Sequence, residues 1–231
     1  SGLGRGSAVR FAEAGAAVVV NYRSSAGGAR EVVSRIKATG GKALSIQADV
    51  SQRADVERLI MRTVEQFGRI DVLVNNAGFY PLASVLEMRD EEWETVLDTN
   101  LRSVFLCTQL VARQMMAQKT EHGAGAGAIV NIASIEAENP APMHSHYDAA
   151  KGGVLMYTRA AAFELGPYGI RVNAVSPGLI WREGIEESWA DGVARWKKAA
   201  PLERLGMPDD VADACLFLAS PGARWITGAN L

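Results

Sequence analysis

The chain lacks most of the features that mark secreted, membrane-spanning or nucleic-acid-binding proteins. Only two of its 231 residues are cysteines, Cys107 and Cys215, and both lie in apolar segments with helical spacing, which predicts buried free thiols. The net charge is only −2, so the composition gives no reason to expect nucleic acid or an anionic membrane as a partner. No apolar run approaches the length that spans a bilayer and no secretory signal is visible, so we expect a cytoplasmic protein.

What the sequence does have is a regular alternation of strand-like and helical segments. Apolar residues recur at helical spacing from Val56 to Phe67, and the strand-like run Ile70 to Val74 follows. This alternation predicts an α/β fold, a doubly wound parallel sheet with helices on both faces. With 48% hydrophobic residues the chain can bury one large core, so we expect a single domain over residues 1–231. The stretch Gly123 to Ala128 is expected to be a loop before a strand.

A serine, a tyrosine and a lysine form the most informative polar group. Ser134 ends a predicted buried strand, while Tyr147 and Lys151 stand four positions apart in a predicted helix and so share a face. A free phenol titrates near pH ~10, and a fixed positive neighbour lowers its pKa, which suits proton transfer near neutrality. A serine hydroxyl at the same point could hold the oxygen of a carbonyl or an alcohol.

Glycines near the start of the chain point to a nucleotide. Gly2-Leu3-Gly4 precedes apolar residues at helical spacing, and Gly15 ends that predicted helix. Such glycines let the backbone approach a pyrophosphate, which the N-terminus of a helix attracts. Ligands bind such sheets beyond the carboxyl ends of the strands. The segments that follow predicted strands, and should meet at that edge with Ser134, are Asp49-Val50, Asn75-Asn76-Ala77-Gly78 and Ser176-Pro177-Gly178.

Together these motifs resemble those of the short-chain dehydrogenase/reductase family, in the branch of 3-oxoacyl-carrier-protein reductases and bacterial glucose 1-dehydrogenases. The resemblance covers essentially the whole chain and implies a Rossmann-like fold. It also implies that Tyr147 is the general acid/base, that Ser134 positions the substrate oxygen, and that Lys151 lowers the pKa of Tyr147 and binds the nicotinamide ribose. Asn100, in a predicted helix, resembles the family's active-site asparagine, which kinks its helix and holds a water of the proton relay.

Cofactor choice depends on the end of the second strand of the family's sheet. No acidic residue occurs between Val18 and Ser25, where one would favour NAD. Arg23, with Ser24 beside it, can instead bind a 2′-phosphate, so we expect NADP, with use of NAD as well as the alternative. Arg23 could also be an ordinary solvated loop residue.

The other expected cofactor contacts follow from the resemblance. Asp49 and Val50 resemble the pair beside the adenine ring, although Asp49 could instead cap the next helix, a place for which Ser51 is better suited. The full set of expected contacts is Gly2, Leu3, Gly4, Arg23, Ser24, Asp49, Val50, Asn75, Ala77, Gly78, Tyr147, Lys151, Pro177, Gly178 and Ile180.

The motifs at both ends are shorter than those of the family. Ser1-Gly2-Leu3-Gly4 supplies only the second half of the glycine motif, and no V-D-G-G-like segment follows Ile226–Leu231. We therefore expect an incomplete chain that lacks the first and last strands of the family's sheet.

Several residues are candidates for substrate contact. The resemblance places Glu136 and His144 at the substrate mouth with Ser134 and Tyr147. A lid is expected at about residues 179–200, with Trp181 in an aromatic-walled pocket; packing of the lid on the body is the alternative. Many relatives carry a threonine at the position of Arg182, so the carboxamide contact is left to the backbone of Ile180. His144, His146, Glu136 and Glu138 invite a metal interpretation, but no tight ligand cluster is evident, and we expect no metal.

The leading hypothesis is an NADP-dependent oxidoreductase that acts on a small ketone or secondary alcohol. Its rivals are a nucleotide-binding regulator on the same fold and an inactive truncated fragment. The resemblance further implies a homotetramer, or a dimer, that pairs the apolar faces of the helices around residues 100–118 and 149–165.

Overall fold

Parallel strands alternate with helices along the chain, as the sequence predicts. The computed structural model describes residues 2–118 and 127–231. The strands are β1 (Val18–Tyr22), β2 (Ala43–Gln47), β3 (Val72–Asn75), β4 (Gly127–Ile132) and β5 (Ile170–Val175). The helices are α1 (Gly2–Glu13), α2 (Ala26–Ala38), α3 (Arg53–Phe67), α4 (Asp90–Leu97), α5 (Ser103–Ala117), α6 (Ser145–Leu165), α7 (Ile185–Ser188), α8 (Ala190–Ala199) and α9 (Pro208–Ala219). Shorter turns are a π-helical turn at Asp98–Arg102 and 3₁₀ turns at Ile135–Ala137, Gly166–Tyr168 and Pro221–Ala223.

The described strands form two hydrogen-bonded groups, each of them parallel. β1 pairs with β2, and β4 lies between β3 and β5. Val18 of the first group and Val72 of the second pack against the same apolar cluster, so the two groups share a core. Beyond β5, the N–H of Leu231 donates to the carbonyl of Ala174 at 3.1 Å.

Strand β4 is buried on both faces, and this is why helices must cover both sides of the sheet. Successive side chains of a strand point to opposite faces. Ile129 packs with Met115 of α5 and Ala162 of α6, whereas Val130 packs with Phe11 of α1 and with α9. The predicted α/β fold with helices on both faces is therefore confirmed.

Two boundaries differ from the sequence predictions. β1 begins two residues later than the start of the predicted run Ala16–Val20, because the N–H of Ala16 closes the end of α1 at 3.0 Å from a carbonyl. The expected loop Gly123 to Ala128 is wrong at its end, since β4 begins at Gly127 and Ala128 bonds to the carbonyl of Asp71 at 3.0 Å. Residues 123–126 of that loop lie outside the described residues.

The two cysteines are buried free thiols, as predicted. Burial raises the pKa of both Cys107 and Cys215 to about 12, so neither is a reactive thiolate near neutrality. Within residues 2–118 and 127–231, no helix has both the length and the apolar character needed to cross a membrane.

A chain of buried polar side chains crosses the core between α5 and α6. The Nδ2 atom of Asn75 donates to Thr108 Oγ1 at 3.2 Å and to Asn131 Oδ1 at 2.8 Å. Asn131 Nδ2 then donates to Thr158 Oγ1 at 2.9 Å. Because unpaired buried amides cost free energy, this chain fixes the relative positions of both helices and of the ends of β3 and β4.

Candidate active site

The end of β4 and the start of α6 bring the predicted serine, tyrosine and lysine together. Ser134 lies two residues beyond β4 and begins the 3₁₀ turn, where its Oγ accepts the N–H of Glu136 at 3.1 Å. Tyr147 and Lys151 occupy the first two turns of α6. The Nζ atom of Lys151 lies 5.6 Å from the centroid of the Tyr147 ring, so the predicted shared face is confirmed.

The lysine amine is held in the interior. Lys151 is only 3% exposed, and its Nζ donates to the carbonyl of Ile132 at 2.7 Å. Burial lowers the pKa of Lys151 to about 8, because desolvation disfavours the charged amine. The bond to Ile132 ties α6 to the end of β4.

The pKa of Tyr147 moves in the direction opposite to the sequence expectation. Burial raises it to about 12, the hydroxyl of Ser134 opposes the rise, and the charges of Glu136 and Asp148 add to it. Lys151 is not among the causes of the shift. The sequence argument was wrong here because it counted the positive neighbour and left out the cost of placing a phenolate in a desolvated pocket.

Asn100 sits in the π-helical turn between α4 and α5, which agrees with the expected irregularity of its helix. It is fully buried, and its Nδ2 donates to the carbonyls of Phe79 at 2.7 Å and Val96 at 2.9 Å. Its Oδ1 accepts the N–H of Phe79 at 3.2 Å. The side chain thus clamps the segment after β3, and its part in a water relay stays a prediction.

The same segment lies close to the lysine. A Cβ atom at Gly78 would lie 3.2 Å from Asn100 Oδ1 and 3.9 Å from Lys151 Nζ. Asn100, Gly78 and Lys151 therefore lie close together, and of these Gly78 belongs to a segment that the sequence predicts after a strand.

The start of α1 presents its backbone to the end of β3. A Cβ at Gly4 would lie 2.8 Å from Asn76 Nδ2, so glycine lets the Asn76 side chain approach the helix closely, and Gly2 has a φ of +57°. Leu3 between them packs into the core. Free N–H groups in the first turn of this helix suit the pyrophosphate of a dinucleotide, so the residues present fit the expected cofactor.

The predicted adenosine contacts lie at the ends of β1 and β2. Arg23 and Ser24 follow β1 directly and are exposed, and Arg23 makes no ion pair with the residues that the structure describes. Asp49 and Val50 are half-buried just beyond β2. Asp49 Oδ1 accepts the backbone and hydroxyl of Ser51 at 3.0 and 2.7 Å, and neither residue caps α3 through its side chain.

The side chain of Asn75 faces the interior. Both Nδ2 hydrogen bonds of its amide go to Thr108 and Asn131, so the side chain braces the sheet. A contact of Asn75 with the cofactor stays a prediction. Ala77 and Gly78 remain at the edge, and Gly78 is exposed.

The segment after β5 carries the remaining predicted contacts. The carbonyl of Pro177 accepts the N–H of Ile135 at 3.1 Å, which joins it to the turn that begins at Ser134. A Cβ at Gly178 would lie 2.5 Å from the ring of Trp196 in α8. Ile180 packs into the core, and the exposed ring of Trp181 follows it.

Glu136 and His144 lie together beside Tyr147, and their part in a substrate mouth stays a prediction. His144 Nδ1 is 2.8 Å from Glu136 Oε2. Asp148, which the sequence analysis did not select, joins them, and one ligand-type atom from each residue lies within 4.8 Å of the others. The position of Asp148 directly after Tyr147 in the sequence is the feature that could have identified it as part of the site. His146 and Glu138 lie outside this group, and the expectation of no metal stays a prediction.

Comparison with known proteins agrees with this fold. The family model described as Enoyl-(Acyl carrier protein) reductase matches residues 1–231. A 3-oxoacyl-[acyl-carrier-protein] reductase of Synechocystis sp. is 42% identical over 228 residues, which cover 98% of this chain and 89% of that protein. A 3-oxoacyl-[acyl-carrier-protein] reductase of Staphylococcus epidermidis is 41% identical, covering 100% and 92%. The crystal structure of a short-chain type dehydrogenase/reductase from Mycobacterium marinum matches with a TM-score of 0.89 and 38% identity, covering 100% and 89%.

The fold and these relatives define an oxidoreductase that uses a nicotinamide cofactor and acts on CH–OH or carbonyl groups. The chain belongs to the short-chain dehydrogenase/reductase family.

Replacing Lys151 by Met should remove part of the rise in stability with pH. The folded pKa of about 8 lies below the 10.5 of an ordinary lysine, so between these values the unfolded chain binds more protons. The free energy of unfolding of the wild type should therefore gain a contribution from about pH 8 to about 10.5 that Lys151→Met lacks. Urea denaturation across this range measures it, with exposed Lys37→Met as control. Parallel pH curves for wild type and Lys151→Met would contradict the depressed pKa.

Proposed function

We propose that the protein interconverts a ketone and a secondary alcohol with NADP as cofactor, and that Tyr147 is the general acid/base. The observation that carries the proposal is the meeting of Tyr147, Lys151 and Ser134 where β4 ends and α6 begins. The relatives add support, because a 3-oxoacyl reductase by its name acts on a ketone.

Each residue of the site has a distinct task in this reaction. In the reductive direction, the phenol of Tyr147 donates its proton to the carbonyl oxygen, and the hydroxyl of Ser134 donates a hydrogen bond that holds the same oxygen. In the oxidative direction, the phenolate of Tyr147 accepts the proton of the alcohol. The nicotinamide, when bound, supplies or accepts the hydride. Lys151 has donors beyond the one used by Ile132, and these suit the ribose hydroxyls.

Tyr147→Phe should lower turnover by at least about a hundredfold, because it keeps the ring and removes the proton donor. The measurement is NADPH consumption over a panel of ketones, and the control is Tyr168→Phe, which changes an exposed ring in the turn after α6. Near-normal turnover by Tyr147→Phe would refute the assignment. If the wild type binds the cofactor but converts no ketone of the panel, the alternative of a nucleotide-binding regulator would be favoured.

The preference for NADP rests on the end of β1. Arg23 is exposed there, and a planar guanidinium binds phosphate with two parallel hydrogen bonds. An acidic residue at this point would repel the 2′-phosphate, and none occurs from Val18 to Ser25.

Arg23→Ala should narrow the difference in affinity between NADPH and NADH by about 1–3 kcal/mol, because it removes a charge-assisted contact. Titration of each cofactor by fluorescence gives both dissociation constants. Arg35→Ala, an exposed arginine of α2, is the matched control. Tighter binding of NADH than NADPH by the wild type would overturn the NADP assignment.

Residues of about 179–200 are proposed as a lid over the substrate. Helices α7 and α8 pack against each other and against Leu205 through Ile185 and Val193, while the ring of Trp181 is 40% exposed. A segment with a small apolar core of its own and exposed aromatic surface suits a lid that buries its rings on closing over a substrate. The substrate contacts proposed at the mouth are Ser134, Glu136, His144, Tyr147 and Trp181.

The chain is proposed to assemble as a homotetramer, with a dimer as the smaller unit. Helices α5 and α6 expose Phe105, Met156 and Phe163, and a groove of about 510 Å³ lies between the two helices. A second copy of the same face would cover this apolar surface, as closed two-fold symmetry requires.

Phe163→Glu should reduce the assembly, because Phe163 is 91% exposed on this face and a charge there would oppose burial. Multi-angle light scattering measures the mass in solution. Leu86→Glu places the same charge at a 93% exposed leucine outside α5 and α6 and serves as control. A monomeric wild type would refute the assembly.

A further inference from the structure

Three titratable side chains form a cluster beside Tyr147. Glu136 Oε2 lies 2.8 Å from His144 Nδ1, and Asp148 completes a group whose ligand-type atoms lie within 4.8 Å of one another. The ring of His144 meets that of Tyr147 nearly edge to face, with centroids 6.0 Å apart. The cluster is therefore in direct contact with the residue proposed to transfer the proton.

Backbone hydrogen bonds fix the cluster in place. The N–H of Glu136 donates to Ser134 Oγ at 3.1 Å, and the N–H of Ala141 donates to Asp148 Oδ2 at 3.2 Å. Asp148 follows Tyr147 in the first turn of α6, and its Oδ1 is buried without a hydrogen-bond partner among the described residues. The backbone of Glu136 and the carboxyl group of Asp148 are thus held in place, and His144 holds the carboxyl group of Glu136.

Two carboxyl groups held this close tend to share one proton, because both charges together are unfavourable. The pKa of Asp148 is raised by burial first and by its interaction with the nearby carboxyl group of Glu136 next. His144 opposes this rise. The negative charges of Glu136 and Asp148 also raise the pKa of Tyr147.

We propose that Glu136, His144 and Asp148 act as one proton-holding cluster that keeps Tyr147 protonated, with Asp148 acting both on the carboxyl group of Glu136 and on the phenol of Tyr147. The inference deepens the proposed function and rests on the role of Tyr147 in it. It assigns to Asp148 a role in the protonation of Tyr147 that the sequence motifs do not include.

Other groups around Tyr147 do not replace this cluster. Lys151 faces the ring from the same helix, and Tyr80 meets it from the segment after β3 with centroids 6.1 Å apart. His146 is fully buried, and its Nδ1 accepts the N–H of Tyr147 at 3.0 Å. Glu92 of α4 interacts electrostatically with His146. The carboxylates that act on the phenol are therefore those of the cluster.

The test is the ionisation of Tyr147 itself, which needs no turnover. Stopped-flow jumps to alkaline pH record tyrosinate absorbance before the chain unfolds, and subtraction of the matching Tyr147→Phe protein isolates one ring. Asp148→Asn and Glu136→Gln each remove one negative charge at high pH, so the midpoint should fall by about one pH unit. Glu138→Gln makes the same change at an exposed residue nearby and should leave the midpoint within a few tenths of a unit.

Several outcomes would overturn the inference. Midpoints for Asp148→Asn and Glu136→Gln that equal the wild type, or an equal shift in Glu138→Gln, would show that the cluster has no specific effect. A wild-type midpoint that changes after dialysis against a chelator would mark a metal site instead. Circular dichroism checks folding, and Glu136→Gln carries the test if Asp148→Asn does not fold. An unchanged rate in Tyr147→Phe would refute the proposed function separately, since the titration does not depend on catalysis.

Discussion

The bond between the amine of Lys151 and the carbonyl of Ile132 is the contact on which the site depends. At 2.7 Å it joins the second turn of α6 to the last residue of β4, and it does so with a side chain that is 3% exposed. Burying an amine is costly unless its donors are satisfied, so this hydrogen bond favours the packing of the helix against the strand end. The same contact positions the helix that carries Tyr147, and it places the amine of Lys151 beside Gly78 and Asn100.

The rigidity of this edge comes from polar groups inside the sheet. Asn75 and Asn131 lie opposite each other on β3 and β4, and each passes a hydrogen bond to a threonine of a covering helix, Thr108 or Thr158. Loss of one of these hydrogen bonds would leave a buried amide without a partner, at a cost of about 1–3 kcal/mol. The core therefore specifies one register for both strands, and this register determines where Ser134 emerges.

The sequence was sufficient for features that depend on local spacing. Tyr147 and Lys151 share a helix face because they are four residues apart, and Ser134 follows a buried strand that is apolar apart from Asn131. Contacts between distant segments were not predictable in this way. The pairing of Asp148 with Glu136 depends on how the turn between them folds back. The direction of the pKa shift of Tyr147 depends on burial, which spacing does not reveal.

Burial and negative charge both keep the proton on Tyr147, and burial is the larger effect. A pKa raised to about 12 means that the phenol keeps its proton throughout the neutral range. Each pKa unit corresponds to about 1.4 kcal/mol, so deprotonation near neutrality is opposed by several kcal/mol. A site in this state is ready to donate a proton, which is the requirement of ketone reduction. Alcohol oxidation must first overcome the same cost, and added positive charge beside the ring would reduce it. The protonation of the cluster formed by Glu136, His144 and Asp148 acts in that direction, because it removes negative charge from beside the phenol.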